Sequence, residues 1–190
     1  MSNLRELTLK EHKFAEQQDF ANLMMSGKIE NHVYFNYLMN QHSVYGVLEN
    51  TYYNLPDPRL ARADAINADM EEIKLMGPIP MSCYDLMPST EEYIEYVREH
   101  IHTEKQYLAH IYVRYLGDLR GGQMIARKIP GSGKYYKFEE PKVLAESIYT
   151  KLDDSMADEA KIVFEFATKQ FQELYAGHFS NPKKVREQST

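Results

Sequence analysis

The chain has a single cysteine, Cys83, in 190 residues, so it can form neither an internal disulfide framework nor a thiolate metal cluster. A lone cysteine of this kind is expected to pack as a small hydrophobe. Long apolar runs are missing too: nothing approaches the roughly 20 residues needed to span a bilayer. The opening residues, Met1 to Glu6, contain no apolar signal region, and the closing stretch from Asn181 is polar. Positive charge is in short supply. Lys and Arg number 22 against 28 Asp and Glu, a net charge of −6, where a general nucleic-acid binder would show a basic stripe. These absences lead us to expect a soluble, cytoplasmic monomer with no membrane anchor and no nucleic-acid partner. What remains is an ordinary globular composition, 43% hydrophobic and 26% charged, at a length that suits one domain with a sizeable core.

The apolar pattern is helical almost throughout. Leu4, Leu7 and Phe14 follow helical spacing up to Gly27, which breaks the chain. From Ile29 to about Tyr53 runs a long periodic segment with Val33, Tyr34, Tyr37, Leu38, Gln41, Val44, Tyr45 and Leu48 on or near one face, ended by Pro56 and Pro58. One interrupted helix is expected over 57–76, then a loop at Gly77-Pro78-Ile79-Pro80. Ser89 with Glu92 three residues on reads as the capped start of a helix that leads through His100, His102 and His110 into a glycine-bearing segment. Residues 129–137 read as a loop. A last helix runs from about Pro141 to Ala176, broken near Asp153-Asp154-Ser155. No strand pair and no internal repeat is visible. The expectation is an all-α, single-domain fold, with residues 1–178 as the catalytic domain and 179–190 as a polar tail.

The most unusual stretch is Tyr112-Val113-Arg114-Tyr115-Leu116-Gly117-Asp118-Leu119-Arg120-Gly121-Gly122-Gln123. Each glycine inside a helix costs about 1 kcal/mol relative to alanine. Three of them within six residues permit a kink or local unwinding. Two uses fit that cost: a close crossing of two helices, or a bare backbone against which a flat ligand lies. Composition alone leaves both open.

The stretch from Arg114 to Gln123 resembles the distal-helix signature of heme oxygenases, with Arg120 where the family usually has a small residue. Glu11-His12-Lys13-Phe14-Ala15-Glu16, followed by Phe20 and Gly27, resembles the family's proximal helix. The resemblance extends through Tyr45 to Glu159-Ala160-Lys161, Phe164 and Phe171-Gln172-Glu173-Leu174, and so covers most of the chain. It implies a heme oxygenase-like helical fold with heme b held between a proximal helix and a kinked distal helix. It also implies oxygen-dependent opening of the heme ring to biliverdin, the IXα isomer being the family's commonest product, with release of carbon monoxide and ferrous iron. Heme is then substrate and cofactor at once. O2 and an external reductant are required, delivered by a ferredoxin, a flavodoxin or a flavoprotein reductase, and a biliverdin reductase would act downstream. A non-degrading heme carrier or sensor on the same scaffold is the alternative.

On this resemblance His12 is the axial iron ligand, since neutral imidazole suits a heme iron whose other face stays open. Glu16, four residues on, shares its helical face and would fix the tautomer. Asp118 is the catalytic carboxylate, organising water so that proton delivery is metered. Arg114 and Tyr45 support that network. Gly117 and Gly121 let the backbone approach the heme plane and aim the oxygen. Arg5 and Tyr112 match positions near the propionates, and Phe164 matches an aromatic at the heme edge. The chain departs from the pattern at Leu9 and Thr150, where the family often has cations; Lys151 is the substitute expected for the second. Arg120 has three open destinations: solvent, a propionate or a reductase. His100 and His102 diverge on a helix and make a poor metal pair. Tyr52-Tyr53 and Tyr135-Tyr136 are expected at amphipathic surfaces.

Overall fold

The computed structural model describes residues 2–179; the basic tail around Lys183, Lys184 and Arg186 lies outside them. Nine α-helices form the described part: α1 Leu4–Leu7, α2 Leu9–Glu16, α3 Asp19–Ser26, α4 Asn31–Glu49, α5 Ala63–Leu75, α6 Pro88–His100, α7 Glu104–Ile125, α8 Pro141–Tyr149 and α9 Ala157–Phe179. Short 3-10 turns at Pro58–Leu60, Met81–Tyr84, Lys134–Tyr136 and Asp154–Met156 punctuate the links, and no strand occurs among the described residues. No described helix is long and apolar enough to cross a membrane.

α4 is the central helix. All eight residues expected on its inner face are buried, and so are Phe35, Asn36 and Asn40 on its other sides. A helix covered all round must satisfy its polar groups internally. Asn36 does so by donating from Nδ2 to the carbonyls of Cys83 and Asp85 at 2.9 and 3.0 Å. Asn40 accepts at Oδ1 from the Met87 amide and the Thr90 hydroxyl. These bonds tie the 81–90 link across α4 and leave Cys83 buried as a free thiol.

α3 ends at Gly27, whose φ of +72° is the left-handed C-cap that glycine takes most easily. Of Leu4, Leu7 and Phe14, only Leu4 turns inward; it packs against Leu108 of α7 and Ala160 of α9. Thr8 caps nothing. It separates α1 from α2, and its hydroxyl donates back to the Leu4 carbonyl at 2.8 Å.

Two local expectations are corrected. The helix expected to run from Ser89 into the glycines is two helices, because the chain turns extended at Ile101 and restarts at Thr103. Thr103 and Gln106 form a reciprocal capping box there, a Thr-x-x-Gln signature visible in the sequence. Ser89 is not a cap. α6 opens on Pro88, a residue whose fixed φ suits the first helical position. The Ser89 side chain and amide are both held by Glu173 of α9, the amide at 2.9 Å.

The site is framed by α9, against which α2, α3, α6 and α7 all pack. The N-terminal segment is held to the turn before α9, with Asn3 N donating to Asp154 at 2.6 Å. α1 and α2 are thereby fixed beside α7 and α9.

Candidate functional site

His12 sits on α2 with its ring 38% exposed, so it is neither a core histidine nor a free surface one. Its Nε2 lies 2.9 Å from the Glu16 carboxylate, the i,i+4 pairing expected from sequence. Nδ1 is then the ring nitrogen turned away from Glu16. The ring leans on Phe164 of α9, centroids 5.5 Å apart. His12, Glu16 and Phe164 therefore form one group.

A second group joins α1 to α7. The Tyr112 hydroxyl lies 3.3 Å from Thr8 Oγ1. Burial pushes the Tyr112 phenol up, and the Thr8 bond and the charges of Arg5 and Arg120 pull against it, so both guanidinium groups act on this phenol. Arg120 lies over the Tyr149 ring, 5.0 Å from its centroid. Lys151 is turned elsewhere, its ammonium 3.9 Å from Glu104 at the opposite end of α7.

The third group is the glycine segment. α7 runs unbroken through Gly117, Gly121 and Gly122, so the unwinding that the glycines permit is not used. The glycines divide the two roles that the sequence left open. A Cβ on Gly122 would come 2.5 Å from the Tyr136 ring, so this glycine serves a close packing contact. A Cβ on Gly117 or on Gly121 would meet no protein atom within 4 Å. Those two leave bare backbone facing open space, a cradle that side chains would fill.

Beside that cradle, the Tyr45 hydroxyl of α4 donates to Asp118 Oδ2 and lies 3.2 Å from the Arg114 carbonyl. Burial pushes the Asp118 carboxyl up to about 7, over the opposing pull of the Tyr45 and Tyr135 phenols and the positive charges of Arg114 and Arg62. Arg114 is buried, its guanidinium 4.8 Å from the Tyr93 ring centroid. Its Nε has no hydrogen-bond partner among the described residues, an orphaned donor within this network.

Most of what supports Asp118 leaves little mark in the sequence. Tyr135 and Tyr136, expected at the surface, are each 1% exposed. They pack on Tyr45 and Tyr37 from the 3-10 turn at 134–136. Asp69 holds that turn, accepting the Lys134 and Tyr135 amides at 2.8 Å each. Buried Arg62 bonds the carbonyls of Tyr135 and Lys137. His110 is fully buried between the Tyr93 hydroxyl at 2.7 Å and Glu159 at 3.0 Å. Burial pushes its imidazole pKa down against the opposing pull of Glu159, and because a carboxylate can only accept, Nε2 is the nitrogen that donates to Glu159. The surviving signal in the sequence for all of this was the count of 15 tyrosines.

A hollow of about 710 Å³ between α4 and α6, lined by His42, Gly46, Tyr53 and Arg98 among others, contains none of the expected site residues. The expected residues offer a part-exposed imidazole, a bare helical face, a near-neutral carboxyl, an orphaned guanidinium N–H and two rim cations. This donor set fits a flat macrocycle that bears one imidazole-accepting metal and peripheral carboxylates.

Comparisons with known proteins identify the family. A family model described as heme oxygenase matches residues 1–173. Heme oxygenase 1 of Synechocystis sp. is 27% identical, with 91% of this chain and 83% of that protein aligned. Heme oxygenase of Pyropia yezoensis is also 27% identical, over 91% of this chain and 84% of its own length. The structure of heme oxygenase from Leptospira interrogans superimposes with a TM-score of 0.72 at 28% identity, covering 90% of this chain and 97% of that one. A structure of Synechocystis heme oxygenase-1 in complex with heme gives a TM-score of 0.75 over 98% of this chain and 96% of that one; at 24% identity this likeness speaks for the fold.

Proposed function

The chain belongs to the heme oxygenase family, a family of oxidoreductases, and from that premise we propose that it opens heme to biliverdin IXα, carbon monoxide and ferrous iron. The observation that carries this reading is the pairing of Asp118, bonded by Tyr45, with the open backbone at Gly117 and Gly121. When bound, heme supplies the iron at which dioxygen is reduced, and its own ring is the substrate; electrons come from a ferredoxin, a flavodoxin or a flavoprotein reductase.

The protein's part is to bind, orient and meter protons. His12 would hold the iron, with Glu16 2.9 Å from its Nε2 to fix the ring. Bare backbone at Gly117 and Gly121 would let a macrocycle lie close to α7, where a side chain at either position would stand in its way. Asp118 holds its proton with a pKa of about 7. A carboxyl poised at the working pH both gives and takes a proton, where an ordinary one would be a fixed anion. Tyr45 fixes the orientation of that carboxyl, and Arg114, one turn earlier on α7, adds a buried positive charge that favours its ionised form.

The test is a spectral time course. Purified protein with hemin, dioxygen and a reductant should lose its Soret band and gain biliverdin absorbance. Stable hemin binding with no biliverdin would make the protein a carrier. Asp118→Ala should retain the hemin spectrum and lose biliverdin formation; an unchanged yield would remove Asp118 from its role.

A further inference from the structure

At about 100° per residue, Gly117 and Gly121 share one face of α7, and Asp118 and Arg120 fall on its two opposite flanks. The flanks differ in surroundings. Asp118 faces inward to Tyr45 of α4 and the buried tyrosines. Arg120 is exposed and faces α8, where it lies over Tyr149. A planar ligand on the glycine face would thus have a protic, protein-enclosed edge and a cationic, open edge.

The cationic edge has a second member. Arg5, on α1, acts on the Tyr112 phenol together with Arg120. Neither guanidinium forms an ion pair among the described residues, whereas the other cation considered for this rim, Lys151, is turned to Glu104. Stacking on Tyr149 restricts Arg120 to one side of the helix, so little further ordering is needed when it meets a carboxylate. Leu9 and Thr150 add no charge here.

Resting on the heme reading above, we infer that Arg120, held over Tyr149, binds a heme propionate from the distal helix and thereby sets how the macrocycle is turned in its plane. Carboxylates drawn to the Arg120 flank leave the opposite, carboxylate-free edge against Asp118. Arg120 is then an orientation-determining residue carried on the same helix as the proton donor.

The experiment compares binding of hemin and of hemin dimethyl ester, which differ only in the two carboxylates, by Soret titration. Wild-type protein should favour hemin, and Arg120→Ala should cut that preference by about tenfold, while ester affinity stays unchanged. Arg120→Glu should abolish the preference. Adding Thr150→Arg to Arg120→Ala returns a guanidinium to the same rim from α8 and should restore most of it. In the Arg120→Ala protein the biliverdin isomer ratio should broaden. A preference that survives Arg120→Ala, or a loss of affinity equal for hemin and ester, overturns the inference and leaves the heme reading standing. If wild type binds neither porphyrin, the heme reading itself falls.

Discussion

Asp118 differs from an ordinary aspartate in where its proton sits, and that difference is measurable without substrate. Its folded pKa of about 7 lies above the usual value near 4, so between those limits the folded state holds a proton that the unfolded chain has released. The stabilising contribution is complete at low pH and is lost as pH rises through about 7. Asp118→Asn should therefore gain on wild type as pH climbs from 4 to 8, by about 1–4 kcal/mol across the window. Thermal melts of both proteins at several pH values check this; a constant difference would mean that the carboxyl is ionised throughout. On the proximal side, His12→Ala should lose biliverdin production and recover it with added imidazole, provided the pocket is otherwise intact. His12 and Asp118 stood out as candidates because each sits in a short motif. Tyr135 was not, because a run punctuated by Pro130, Gly131 and Gly133 reads as surface loop. Its burial is set by distant residues, Asp69 and Arg62, that carry no mark in the sequence.

At the scale of elements, α7 does two jobs with one residue type, and substitution separates them. Gly117→Ala and Gly121→Ala should stabilise the heme-free protein by about 0.5–1 kcal/mol each, since a new methyl meets nothing and helix propensity improves. Both should weaken hemin binding. Gly122→Ala should instead cost about 1–3 kcal/mol, because its methyl would press on the Tyr136 ring. Denaturant titration with and without hemin distinguishes the two classes, and equal effects at all three positions would contradict the division. The 134–136 turn is a second such element. Asp69→Ala removes the acceptor of two backbone amides and should cost about 1–3 kcal/mol. The lost order should show as a raised hydrogen-exchange rate at Tyr135. Periodicity gave a sound account of α4 and of the break before α9. It failed between His100 and Thr103, where helical spacing continues through a gap that only the capping box marks.

Across the whole molecule, the candidate site residues come from α1, α2, α4, α7, α8 and α9, and of these elements α2, α4 and α7 pack directly on α9. That convergence explains how motifs about a hundred residues apart in the chain were readable as one site only through family resemblance: no local rule connects His12 to Asp118. It also ties ligand to stability. Hemin at a hundredfold excess over its Kd should stabilise the folded protein by about 2.7 kcal/mol, and the gain should vanish in His12→Ala if that residue supplies the affinity. The shell of buried tyrosines behind Asp118 has one more use. The chain has no tryptophan and 15 tyrosines, seven of them at most 1% exposed. Its ultraviolet emission is therefore purely phenolic, and a porphyrin seated beside that shell would drain it by energy transfer. The protein thus has a built-in fluorescent gauge of occupancy: the light should dim as hemin enters and return once the cleaved, iron-free product departs.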